Sequence, residues 1–161
     1  MYRYITALQE VLKAKAGAGE LLADVTADRI YLMEAPKTVT LPCIVIWPFD
    51  RTNIATGHTA GYRLTDMDAE VNVYVAWNEY DKMASLTAVT QLGDKVERVL
   101  LDNGRLKCTS YNNGFIMMGG TVKIETLEPF TAIVHGSAVN AYLYKLAVAG
   151  RVIIRDGNID I

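Results

Sequence analysis

The stretch Asp68–Trp77, DAEVNVYVAW, decides the fold. Successive side chains of an extended chain point to opposite faces, so Val71, Val73, Val75 and Trp77 share one side and Glu70, Asn72 and Tyr74 the other. Alternation sustained over this length predicts a half-buried β-strand. Its start can reach back to Tyr62, giving a long strand that leaves the body of the fold. Downstream the period changes to that of a helix running to about Leu101. Asn78 is expected to cap it, with Asp81 in a capping-box-like position. Met83, Leu86, Val89, Gly93, Val96 and Leu100 form its inner stripe, and Asp94 and Arg98 are spaced to pair on the outside. Asp102-Asn103-Gly104 is a stop signal.

Upstream, CIVIW at 43–47 is apolar without alternation, which predicts a strand covered on both faces. Pro48 is expected to close it, because proline donates nothing to a ladder. Pro36 and Pro42 bracket a loop that leads back to another strand within DRIYLM, 28–33. The first segment, Tyr2–Ala16, reads as an amphipathic helix. Ile5, Leu8 and Leu12 line its apolar stripe, Tyr4 and Val11 flank it, and Gln9, Glu10, Lys13 and Lys15 cover the other side. Gly17-Ala18-Gly19 ends it, since glycine takes the left-handed conformation that helix ends favour. Between the two central strands, residues 50–61 (DRTNIATGHTAG) are polar, hold two glycines and show no period, so a mobile loop is expected there.

The C-terminal third reads as β. RLKCTSY (105–111) and FIMMGGTVKIETL (115–127) flank Asn112-Asn113-Gly114, a hairpin-turn signal, and Gly119-Gly120 suits a bulge or bend. FTAIVHG, AYLYKLAVA and RVIIR add two or three more strands, and RDGN at 155–158 is a further hairpin signal. The helices do not alternate regularly with strands, so the chain is expected to be one α+β domain, 1–161. Its sheet is mainly antiparallel or mixed, with both helices packed on one face.

Composition bounds the function. With 16 basic and 18 acidic residues the net charge is −2, which leaves no basic excess to neutralise a phosphate backbone. Cys43 and Cys108 both lie in apolar or β-like segments, where a free thiol acts as a small buried hydrophobe. No run of 18 apolar residues occurs and the first residues lack a signal-peptide core, so neither a membrane span nor secretion is expected. His58 and His135 stand in no triad pattern, and a Cys43–His58 pair fails because Cys43 opens an apolar strand. Gly57–Gly61, GHTAG, lacks the Lys-Thr ending of a phosphate loop and a helix to follow it. Asp66, Asp68 and Glu70 fall on one strand face. Hard cations take such oxygen ligands, but the same spacing describes a solvated face or an acidic surface within an oligomer. Tyr62, Tyr74, Tyr80, Tyr142 and Tyr144 lie partly on polar faces, where tyrosine serves core or subunit contacts. No catalytic group, metal site or cofactor is assigned.

This layout resembles that of the phage tail terminators, the tail-completion proteins of long-tailed, non-contractile bacteriophages. The elements that carry the likeness are Arg29-Ile30-Tyr31 joined to the Leu41–Trp47 strand, LPCIVIW, followed by a loop, an alternating strand and a long helix. The resemblance implies a non-enzymatic virion protein, assembled in the host cytoplasm, that forms a ring, commonly a hexamer. Such a ring caps the tail tube, ends elongation and offers the surface that joins the head. Its partners would be its own copies, the tail tube protein and a head-completion or connector protein, with DNA only passing through the lumen and no membrane involved. On that likeness Pro36 and Lys37 would meet a neighbouring subunit. Arg51, Ile54, His58 and Tyr62 would order against the adjacent ring. Asp66, Asp68 and Glu70 are candidates for an acidic lumen that repels phosphates. The alternatives are a small oligomeric α+β enzyme or ligand-binding module, or another head–tail connector or tail tube component.

Overall fold

The computed structural model describes residues 2–54, 62–103, 117–118, 123–126 and 130–155; at 50–54, 62–66, 117–118, 123–126 and 151–155 it is the backbone path that is described. The elements are α1 (Tyr2–Ala14), a 3-10 turn (Ala27–Arg29), β1 (Ile30–Leu32), β2 (Cys43–Ile54), β3 (Tyr62–Ala76), α2 (Lys82–Asp102), β4 (Met117–Met118), β5 (Lys123–Thr126), β6 (Phe130–Ile133) and β7 (Asn140–Arg155). They build one seven-stranded sheet. Its order is β1-β2-β3-β7, and β6, β5 and β4 follow one another along the far edge of β7. The β1–β2 pair is parallel and every other pair antiparallel, so the fold is α+β with a mixed sheet.

Both helices pack on one face. Val71 and Val73 of β3 lie between Ile46 and Ile44 of β2 and Leu146 and Tyr144 of β7. These side chains meet Tyr4, Ile5, Leu8 and Leu12 of α1 and Val89, Val96 and Leu100 of α2 in a single apolar core. Polar contacts help to tie the helices down: Gln9 donates to the Ile30 carbonyl at 2.6 Å, the Tyr4 hydroxyl donates to the Val148 carbonyl at 3.3 Å, and Lys95 pairs with Asp24 at 2.7 Å. At Gly93 α2 lies directly against the sheet, since a Cβ at that position would overlap the Tyr144 ring. The Tyr144 hydroxyl continues past it to donate to Asp94 at 3.2 Å.

The opposite face is covered as well. Cys43, Val45, Tyr74 and Leu143 form a second apolar cluster with Ala35, Val134 and Ala141, under the loop after β1 and the turn between β6 and β7. The half-buried strand expected around Asn72 and Tyr74 is therefore buried on both sides; Asn72 and Tyr74 are 7% and 3% exposed. Period-two patterning reports which side chains are polar, not whether a loop folds back over them.

Other expectations need correction. Pro48 does not close β2, which continues to Ile54 and pairs with β3 throughout. The last β1–β2 partners are Leu32 and Ile46, so among the described residues no strand lies beside Pro48 on that edge, and its missing N–H costs no ladder bond there. A register shift between Pro48 and Asp50 takes up the irregularity. Residues 50–54 of the expected loop are thus strand, and 55–61 lie outside the described residues. Asn78 does not cap α2, because its side-chain oxygen already accepts from the Tyr80 and Asp81 amides. Asp81 caps the helix by accepting from Ala84 at 2.9 Å. Met83 lies in the turn before α2 reaches the sheet and is 71% exposed, whereas Leu92 and Val99 join the buried stripe. Arg98 pairs with Asp102 at 3.7 Å rather than with Asp94. The strands expected at 141–149 and 151–155 are one element, β7, which passes Gly150 without a break. Of the tyrosines placed on polar faces, Tyr74, Tyr142 and Tyr144 are core, and Tyr80 is 96% exposed. The hairpin signals at 112–114 and 155–158, and Gly119-Gly120, fall outside the description apart from Arg155.

Candidate functional site

Sheet register sets out the face opposite the helices from β2 across to β7. Val45, Asn72 and Lys145 form one row, and Trp47, Glu70 and Ala147 the next. After the shift come Asp50, Asp68 and Ala149, then Thr52, Asp66 and Arg151. Asp68 and Glu70 are half-buried rather than freely solvated. Glu70 meets Lys145 at 2.6 Å, with only 16% and 26% of their side chains exposed. Glu70 of the acidic run is thus offset by a base supplied from β7, Lys145. Sequence spacing could not show this, because the compensating strand lies some 75 residues downstream. Removing either partner leaves a mostly buried charge alone, so Glu70→Gln or Lys145→Gln should each cost about 1–3 kcal/mol. The Glu70→Gln/Lys145→Gln double variant should cost less than the two losses summed, which a urea-unfolding double-mutant cycle reads directly. Beside this pair, Asn72 Oδ1 is buried and accepts no hydrogen bond from the described protein groups.

Above that charged zone sits a clasp. The Ala35 N–H donates to the His135 carbonyl at 2.9 Å, and the His135 ring meets Trp47 edge-on at 4.3 Å between centroids. Gly136, with φ +86°, lies against the Ala35 backbone, where a Cβ would collide with the Ala35 carbonyl. Burial pushes the Tyr74 hydroxyl above its ordinary pKa, and a hydrogen bond with the His135 backbone pulls it part of the way back. His135 therefore holds the 34–42 loop to the sheet, and Pro36 and Lys37 are displayed exposed at the loop's outer side. Arg51 and Ile54 stand in register with Met67 and Leu64, and Tyr62 with Arg155, at the end of the sheet remote from this clasp. His58 lies outside the described residues. The structure thus pairs Glu70 with Lys145, and sets Pro36 and Lys37 apart from Arg51, Ile54 and Tyr62.

Cys43 is fully buried beneath the clasp, and burial pushes its thiol up to about 12, with Arg29 pulling slightly the other way. Thiolate is the reactive form, so Cys43 should stay unlabelled by a thiol reagent at pH 8 until denaturant is added, as peptide-level mass spectrometry would show. A raised folded-state pKa contributes stability that is fully present below the ordinary value of 9.0 and lost as pH climbs toward 12. Cys43→Val should accordingly flatten the alkaline loss of stability above pH 9. An equally steep loss in the variant would place its origin elsewhere.

Two further features lie at opposite ends of α2. Just before and within its first turn, Trp77, Tyr80 and Met83 are exposed within seven residues. Beside its last turn a cleft of about 400 Å³ opens between α2 and the segment after α1, with Leu21 and Val99 within it and Lys15, Glu20, Arg98 and Asp102 around it. Sequence reasoning assigned Met83 to the core and passed over the cleft. The signal for the first was the polar company of Met83, Asn78-Glu79 and Asp81-Lys82; the cleft had none. Among the described residues no group of three or more His, Cys, Asp or Glu side chains is placed to hold a metal ion, and no helix is long and apolar enough to cross a membrane. No family model matches the chain, and no curated protein matches it.

Proposed function

We propose that this chain is a structural virion protein of the tail-terminator kind, which forms a ring on the tail tube, ends its elongation and offers the surface that joins the head. The observation that carries this reading is the length of the central ribbon. β2, β3 and β7 run 12, 15 and 16 residues, so β3 extends about 50 Å at ~3.3 Å per residue. α2, at ~1.5 Å per residue, spans only about 30 Å and cannot cover that ribbon from end to end. β1 pairs only with Ile44–Ile46, so the β2 edge from Trp47 to Ile54 has no strand beside it among the described residues. A long ribbon with a bare edge is what neighbouring subunits cover in an assembly. The exposed Pro36–Lys37 loop offers a further contact with a neighbour or with the tube protein. If the face bearing Asp68 and Glu70 lines the lumen, Lys145 offsets the Glu70 carboxylate there.

Interrupting the gene in its phage and imaging the lysate tests the reading. Tails of uncontrolled length without attached heads are expected, and purified protein should appear as rings at tube ends in negative stain. Normal tails in its absence would overturn the proposal, and a monomer that binds a small ligand in the 400 Å³ cleft would favour the ligand-binding alternative.

A further inference from the structure

The sheet face opposite the helices carries acceptor capacity that the described protein groups do not use. Asn72 is 7% exposed, and its Oδ1 is buried without a hydrogen bond. Glu70 stands two residues back on the same face of β3. A carboxylate can accept about four hydrogen bonds, and among the described residues Lys145 is the donor that Glu70 meets. An acceptor left unpaired under cover is costly, so a ligand that brings N–H donors to both groups lowers that cost.

The register leaves a way in. Ala147 shares the row of Glu70 and is exposed, so the β7 position beside the carboxylate carries only a methyl group. Trp47 takes the β2 side of that row, half-buried, and sets an indole beside any group held at Glu70. Lys145 belongs to the row of Asn72 and reaches one row along to Glu70. A turn of its partly exposed side chain therefore opens the approach to Asn72.

The chemistry of these groups selects the ligand. An anion would draw Lys145 away, strand a mostly buried carboxylate and leave Asn72 as it was. Among the described residues no three His, Cys, Asp or Glu side chains gather to hold a metal ion. A cation that carries several N–H groups suits both acceptors. Residues two apart on a strand are about 7 Å apart, a span that the separate nitrogens of a planar guanidinium cover better than the single nitrogen of an ammonium. A guanidinium also stacks on an indole face.

We propose that Glu70, Asn72 and Trp47 form a binding site for a guanidinium group, the side chain of an arginine presented by a partner protein, with Lys145 as its gate. Glu70 takes the charge, Asn72 Oδ1 accepts a second N–H, Trp47 covers the flat face, and Lys145 turns aside to solvent. The ion pair of Glu70 is thereby exchanged rather than lost. The site does not rest on the tail-terminator reading.

Titration with N-acetyl-arginine methylamide, against N-acetyl-lysine methylamide at matched ionic strength, tests this. Fluorescence of Trp47 is read in a Trp77→Phe background, which leaves it the one tryptophan of the chain. A saturable change in the millimolar range is expected, at least about fivefold tighter for the arginine probe. Asn72→Leu should weaken binding about tenfold, yet leave the melting temperature unchanged or raised, because it removes an acceptor that lacks a donor. Ala147→Leu fills an exposed position and should abolish the response while keeping the fold. Equal responses to the two probes, no saturation, or an unchanged response in either variant would overturn the site. Free arginine bound about tenfold tighter than the blocked probe would overturn the protein-borne source in favour of the free amino acid. None of these outcomes bears on the imaging test above.

Discussion

Val96→Asp should lose much of the fold's stability at neutral pH and sharply lower the yield of soluble protein. Val96 is completely buried on the inner face of α2, among Leu8, Leu12, Leu92 and Leu100 of the same core. A carboxylate there gives up its hydration with no cation positioned to receive it, a cost on the order of 4–5 kcal/mol. A domain of this kind holds a net stability of only about 5–15 kcal/mol, so much of the margin disappears. Burial would push the new carboxyl well above its ordinary pKa, and the sign of the pH effect follows. Relative to wild type, the variant should be least unstable below about pH 3.9, where the group is neutral in both states, and should lose stability as pH rises from there to its folded-state value. Far-ultraviolet circular dichroism of both proteins between about pH 3.5 and pH 8 checks both statements. A melting temperature equal to wild type at pH 8 would show that this face of α2 does not meet the sheet.

Gly93→Ala should also destabilise, although alanine is normally the better helix former by about 1 kcal/mol. The reason is the Tyr144 ring, which occupies the space an added methyl needs. Overpacking a close contact of this kind costs about 1–3 kcal/mol, more than the propensity gain, and Gly93→Val should be worse. Shrinking the ring partner separates the two effects. In a Tyr144→Leu background, which also gives up the Asp94 hydrogen bond, Gly93→Ala should become neutral or stabilising. Urea-unfolding midpoints for the four proteins suffice. A Gly93→Ala single variant more stable than wild type would mean that α2 sits farther from β7 than the contact requires.

Much of this architecture was legible in the residues. Ile5, Leu8 and Leu12 announced the face of α1 that is buried, and Val71 and Val73 the side of β3 that faces the helices. The apolar run Cys43–Ile46 correctly implied cover on two faces, because a strand carrying no polar side has nowhere to meet water. These successes share a cause. Each depends on periodicity within a single element, and side-chain direction in a helix or strand is set by local backbone geometry.

What escaped depends on chain that is distant in sequence. Asn72 and Tyr74 became buried because the loop after β1 and the turn around His135 close over them. Glu70 belongs to an ion pair because β7 lies beside β3 in the register that brings Lys145 to it. Pro48 could stay inside a strand because β1 is too short to ask for its missing N–H. The exposure of Tyr80 and Met83 and the cleft by Val99 were set by where α2 begins and ends relative to the sheet. The sequence by itself determined the elements, their apolar faces and the α+β class, all through short-range stereochemistry. Strand register, loop closure and helix placement, which choose the partners of every polar and surface group, are long-range matters that only the tertiary structure decided.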